Sequence, residues 1–213
     1  MSWFRAVAHD AADIAWGNRF WLTWNTMLAM VPALLAVPLF RARRRWGPLR
    51  ALGVVVFVLF LPNAPYVVTD LVHLRGDVLL ADSRATVYLG ILPMYAAFIA
   101  VGFACYAVSL AEVGRWLRRT GRAAWVWPTE IGLHALCALG VLLGRVARLN
   151  SWDTFTQPEG TLERALATLS WEGSTSALVT LFLVIWGGHV MTRGVGRMAA
   201  AVAPRRTVWA HDL

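Results

Sequence analysis

The sequence predicts an all-α membrane protein, a polytopic bundle of five transmembrane helices with its N-terminus outside and its C-terminus inside. Three observations lead there. Hydrophobic residues make up 58% of the 213 and charged residues only 15%, a balance too apolar for an ordinary soluble domain. Five hydrophobic stretches approach or exceed the length needed to cross a hydrocarbon core of ~30 Å, which takes about 20 helical residues. The positive charge alternates from one connector to the next. Arg41, Arg43, Arg44, Arg45 and Arg50 precede the second stretch, Arg115, Arg118, Arg119 and Arg122 follow the third, and Arg193, Arg197, Arg205 and Arg206 follow the fifth. These thirteen arginines stand on one side of a five-span chain against seven on the other, and the positive-inside rule makes their side cytoplasmic.

The first stretch runs from Phe20 to Phe40, the second from Ala51 to about Leu71, and the third from about Ala85 to Leu110. The fourth covers about Trp125 to Gly144 and the fifth, the shortest, about Ser176 to Met191. Residues 1–19 contain Arg5, His9, Asp10, Asp13, Asn18 and Arg19 and lack the apolar centre of a signal peptide. They are expected to lie along the outer interface with Trp3, Phe4 and Trp16 in lipid. Residues 192–213 form a basic cytoplasmic tail. Trp21 and Trp24, Trp46 and Trp125, and Trp152 and Trp171 sit at predicted span ends, where indole rings anchor. The long connector 145–175 carries TLERALATL (161–169), a short amphipathic helix for the outer surface. No repeat or linker divides the chain, so residues 1–213 read as one integral-membrane domain.

The second stretch holds the strongest local signal, LPNAPYVVTDLVHL at 61–74. Twelve residues separate Leu49 from Pro62, too few to cross the bilayer, so the two prolines interrupt the helix at membrane depth. Irregular backbone there is tolerated only inside protein or against a wet cavity. Asn63 is placed to cap the helix as it restarts. With an α-helical period, Asn63, Tyr66, Asp70 and His73 fall on one polar stripe. Such a stripe is either a self-satisfied helix break or a ligand surface, and ionisable groups at this depth favour the second.

At the outer end of the fourth stretch, Gly140 and Gly144 permit close helix approach. Arg145 and Arg148 follow, then Asn150, Trp152 and Asp153. Two guanidiniums on one helix face would clamp a phosphate or carboxylate, pair with Asp70 and Asp153, or snorkel to the headgroups. Glu130, His134 and His189 near the inner ends of the last two stretches suit an interhelical hydrogen bond better than a proton relay. Asn25 reads as helix glue, and Cys105 and Cys137 read as packing residues. There is no phosphate-binding glycine loop, HExxH, GxSxG or CxxC, so no cofactor is specified. Asp70, His73 and Asp153 are weak candidates for a divalent metal, which needs three or four convergent ligands.

Taken together, LFLPNAPYVVTDLVHL (59–74) and GRVARLNSWD (144–153), in this order and two stretches apart, resemble the bacterial integral-membrane family catalogued as domain of unknown function 1361. The resemblance runs from about Arg19 to Met191. It implies a small multi-pass protein of the bacterial inner membrane with no assigned activity. It also implies that Pro62, Asn63, Pro65, Tyr66, Asp70 and His73, with Arg145, Arg148, Asn150, Trp152 and Asp153, belong to the family signature.

The expected function is binding of a lipid headgroup or envelope component in a polar pocket on the extracytoplasmic side, or assistance to a partner membrane protein. One alternative is a lipid- or envelope-modifying enzyme, with Asp70 or His73 as base or metal ligand and the arginines stabilising an anion. The other is a small transporter built around a broken helix. Anionic lipids at the cytoplasmic face are expected partners. Nucleic acid is not, because topology accounts for the basic charge.

Overall fold

The computed structural model describes residues 2–42, 47–149 and 156–202. Among these residues there is no strand, and five helices are long and apolar enough to cross a membrane: Trp3–Arg41, Pro48–Leu80, Arg84–Arg119, Ala123–Val146 and Ser174–Ala201. They are the first to fifth spans. A further helix, Pro158–Leu169, lies between the fourth and fifth.

The first span belongs to one helix, Ser2–Arg41, of 40 residues, or ~60 Å at the α-helical rise. Residues 2–19 therefore continue the helix of the first span without a break. Their polar side chains interrupt the hydropathy without interrupting helix propensity, which Ala6, Ala8, Ala11, Ala12 and Ala15 sustain. These leading turns pack on the start of the third span, where a Cβ on Gly90 would fall 2.5 Å from that of Ala11. The Asp82 amide also donates to the Asp10 carboxylate at 3.0 Å.

The second span likewise runs further than its hydropathy suggests, to Leu80. The prolines change its winding without breaking it. Helix Pro48–Phe60 passes through Leu61 and Pro62, both in the right-handed helical region, into Asn63–Tyr66, then a tight 3₁₀ run Val67–His73, then helix Leu74–Leu80. Asn63 does not cap the restart; its side-chain amide donates back to the Phe60 carbonyl at 2.9 Å. That carbonyl lies in the turn where the two prolines have thinned the supply of backbone donors.

The third span is central and packs against all four others. Phe57, Leu61, Ala64, Tyr106, Leu110, Cys137, Ala138, Val141 and Ile185 form the buried core around it. Glycines bring the proline segment close on two sides. A Cβ on Gly102 of the third span would lie 2.6 Å from the Ala64 carbonyl oxygen. One on Gly140 of the fourth would lie 2.6 Å from Pro62 Cγ. The proline segment is thus held between two helix faces that lack side chains at the contact.

At the arginine-rich end, Arg119 donates to the Phe40 carbonyl and, at 3.4 Å, to that of Arg41. Arg50 donates to that of Leu39 at 2.5 Å. These guanidiniums take up the carbonyls a helix C-terminus leaves without partners. Glu112, wholly buried, accepts from Arg41 Nε at 2.7 Å and pairs with Arg115. Sequence reading passed over Glu112 because a lone acid beside four arginines looks like a solvated helix end.

Candidate functional site

The opposite end of the bundle carries a ladder of polar contacts between the antiparallel first and second spans. Asn25 Nδ2 donates to Asp70 at 2.8 Å, and two turns away Asn18 Nδ2 donates to Asp77 at 2.6 Å. Between these rungs the Trp21 ring stacks on His73, with centroids 5.0 Å apart. The Tyr95 hydroxyl of the third span also donates to Asp77, at 2.8 Å. Asp70 and Asp77 are only 2% and 6% exposed, and a buried carboxylate persists where such donors replace water. Sequence reading missed Asn18, Trp21, Asp77 and Tyr95. The available signal was a shared spacing of seven residues, Asn18 to Asn25 on one helix and Asp70 to Asp77 on the other.

The 3₁₀ run decides which way the candidate stripe points. Three residues per turn stack positions three apart, so Val67, Asp70 and His73 form one row and Tyr66 and Thr69 the next. The first row turns to the first and third spans, where Val67 packs with Ala29 and Phe98. The second row turns to the fourth span, where a Cβ on Gly144 would meet the Tyr66 ring at 3.1 Å. The single stripe expected from an α-helical period is therefore two faces.

Asn63 and Tyr66 line a recess of about 520 Å³ between the first, second and fourth spans. Its polar end is made by Asn25, Asn63, Tyr66, Arg148 and Thr161, and its deeper wall by Leu28, Val58, Leu59, Leu136 and Leu139. Asn25 belongs both to this wall and to the Asp70 contact, so Asp70 sits directly behind it. Arg148 is the one described non-glycine residue with positive φ, at 53°. The fourth span's helix ends at Val146, and the left-handed turn at Arg148 lets the Leu149 amide reach back to the Leu143 carbonyl at 3.4 Å.

That turn separates the two arginines expected on one helix face. Arg145, still in the helix, lines a different hollow of about 360 Å³ with Thr69, Trp171, Ser176 and Thr180. No ion pair within 4.0 Å joins it to Asp70. Asn63, Tyr66 and Arg148 thus share the recess, Asp70 backs it, Arg145 lies beside it, and His73 faces the first span. Asn150, Trp152 and Asp153 lie outside the described residues, so the candidate Asp70, His73 and Asp153 metal set is described only in its first two members. Among the described residues no three His, Cys, Asp or Glu side chains converge as metal ligands. Cys105 and Cys137 are free thiols, the second buried.

Fold and recess together define a multi-pass helical membrane protein with a mixed polar and apolar hollow among its spans. The profile of the family described as "Protein of unknown function (DUF1361)" matches residues 24–187, more than half of the chain, and the chain belongs to that family. No curated protein and no solved structure matches it.

Proposed function

We propose that this is a bacterial inner-membrane protein that binds an anionic amphiphile, headgroup and chain together, in the recess between its first, second and fourth spans. The recess opens to the extracytoplasmic side in the N-out, C-in topology that the arginine distribution favours. One observation carries the reading: the lining grades from Arg148, Thr161, Asn63 and Tyr66 at one end to leucine and valine at the other. That gradient matches a lipid, with a charged head beside a guanidinium and a tail against branched aliphatics. The conformation of Arg148 adds support. A left-handed backbone costs a non-glycine residue about 1–2 kcal/mol, and such strain is kept where it places a side chain for use.

The test is retention of lipid. Wild-type protein and Arg148→Gln would be purified in a mild detergent from the same membranes, and bound lipid quantified by mass spectrometry. Wild type is expected to keep anionic lipid near one per chain, and the variant to lose it while eluting as the same folded species. Equal anionic lipid on both proteins, or none on either, overturns the proposal. Transport has less in its favour, because Glu130 and His189 do not line the recess.

A further inference from the structure

On a different face of the fourth span from the recess, a second polar cluster sits between the third, fourth and fifth spans. His189 is 3% exposed, and neither of its ring nitrogens has a hydrogen-bond partner. Its ring centroid is 5.2 Å from that of His134 and 5.7 Å from that of Tyr106. The Tyr106 hydroxyl and His134 Nδ1 are 2.8 Å apart, and the Cys137 thiol also contacts the phenol. One turn towards the arginine-rich end, Arg193 donates to both Glu130 oxygens at 3.1 and 3.2 Å.

The contacts are rungs of an antiparallel pair: Glu130 faces Arg193 and, four residues along each helix, His134 faces His189. Four residues further, the rung positions hold Ala138 and Ile185, 2% and 0% exposed, with Val141 and Leu110 also fully buried near them. Polar neighbours therefore lie towards one end of the bundle only.

A buried imidazole with both nitrogens unsatisfied calls for an occupant, since such groups are nearly always paired. A metal ion needs three or four convergent ligands, and no such group of three occurs among the described residues. A proton needs only the two imidazoles. Shared between facing rings, it turns the N–H···N bond that two neutral imidazoles could make into a stronger charge-assisted one, with one ring as the cationic donor and the other as the acceptor. A relay would also need a polar exit on the far side, where the next rung is apolar.

We infer that His134 and His189 form a one-sided proton-binding site, which exchanges with water at the Glu130–Arg193 end and is closed towards the recess. A cationic His134, four residues from Glu130 on one helix, competes with Arg193 for that carboxylate. The charge of the pair thereby sets how firmly the last turns of the fifth span are tied to the fourth. The titratable and charged groups facing the pair are Tyr106 from the third span, Glu130 and Cys137 from the fourth and Arg193 from the fifth. The fifth span also packs on the third span and, at its opposite end, on the helix Pro158–Leu169.

The experiment is NMR of full-length protein labelled with ¹⁵N in its histidine rings, held in lipid nanodiscs and taken from about pH 5 to 9. His9, His73 and His211 supply reference signals. In the wild type His134 and His189 should take up protons in two linked steps separated by about one pH unit or more. His189→Gln should leave one step at His134, displaced by a similar amount, and Glu130→Gln should displace both. If His189→Gln does not fold, Tyr106→Phe removes only the hydroxyl and should change the tautomer at His134. The inference is overturned if neither ring changes with pH, if each titrates independently of the other, or if purified protein carries stoichiometric metal by elemental analysis.

Discussion

Adding one methyl group at Gly102 is predicted to destabilise the protein more than the same change at Gly140 or Gly144, because of what the new atom strikes. At Gly102 it would lie 2.4 Å from Val67 Cγ2 and 2.6 Å from the Ala64 carbonyl oxygen. Ordinary contact is about 3.5 Å or more, and the carbonyl is backbone, flanked by a proline and buried. Overpacking costs about 1–3 kcal/mol, and here the upper part of that range applies. The alanine recovers at most about 1 kcal/mol of helix propensity, which leaves a net loss of about 2 kcal/mol, or a melting point lowered by about 4–8 °C for a chain of this size. At Gly140 the methyl meets Pro62 Cγ and Cβ at 2.6 and 2.7 Å, ring atoms that yield slightly by repuckering, so the net loss is about 1 kcal/mol. At Gly144 its one tight approach is to the Tyr66 ring, at 3.1 Å, with the Leu149 carbonyl oxygen at an ordinary 3.6 Å, and the ring can swing towards the recess with little cost. Gly132, with nothing within 4 Å of the added atom, is the control. The buried thiol of Cys137 supplies the assay: a fluorogenic maleimide reports its exposure as the detergent-solubilised protein is heated. A Gly102→Ala protein melting at or above Gly132→Ala would refute the packing argument, as would an inverted order among the three contact positions.

Asn25→Leu removes the donor 2.8 Å from Asp70 and should lower the same melting point by an amount equivalent to about 1–3 kcal/mol. The double variant Asn25→Leu with Asp70→Leu should lose less than the two single losses added together, since no buried carboxylate remains without its donor; strict additivity would deny the coupling. Topology is open to direct assay, with alkaline phosphatase fused after Glu159 expected to be active and after Arg206 inactive. The reverse pattern would place the recess on the cytoplasmic side.

The five spans were legible because hydropathy integrates over about 20 residues and tolerates local irregularity. Their lengths were not. Asn18 and Asp77 both fall in stretches that look like loop or interface, yet each finds its partner on the neighbouring helix, and helix turns flank both. The proline segment was correctly placed inside the protein, but its consequence was misjudged. An unbroken 3.6-residue count puts Asp70 and His73 on the face of Asn63 and Tyr66, whereas the 3₁₀ run turns that row to the first span. Nothing in VVTDLVH demands the tighter winding. It accompanies packing of Val67 against Gly102 and of Tyr66 against Gly144, contacts far apart in sequence. Arg145 and Arg148 were separated by a similar local event, a left-handed turn at an arginine where glycine is the usual occupant. Glu112 was hidden for another reason, since its significance depends on Arg41, 71 residues away.

The depth of the recess bears on what it can do. Its helical lining on the fourth span extends from Gly144 to Leu136, eight residues along or about 12 Å at the helical rise, with Arg148 and Leu149 beyond the helix end. A hydrocarbon core is ~30 Å thick, so the hollow is long enough for much of an acyl chain and too short to be a passage. Two residues below Leu136, on another face of the fourth span, His134 faces the fifth span and not the recess. The bundle therefore has polar groups at two levels that do not communicate: a recess entered from one end, and an imidazole pair reached from the other. Carriers of ions or solutes join such levels through a shared central site. A one-ended amphipathic hollow finishing on leucine and valine instead favours a molecule that enters and leaves by that same end. Bound amphiphile should accordingly protect Tyr66 and Arg148 while leaving the environment of His189 unchanged. If a lipid that binds at Arg148 also shifts the ring signals of His189, the two levels are coupled and the separation argued from the buried Ala138 and Ile185 is wrong.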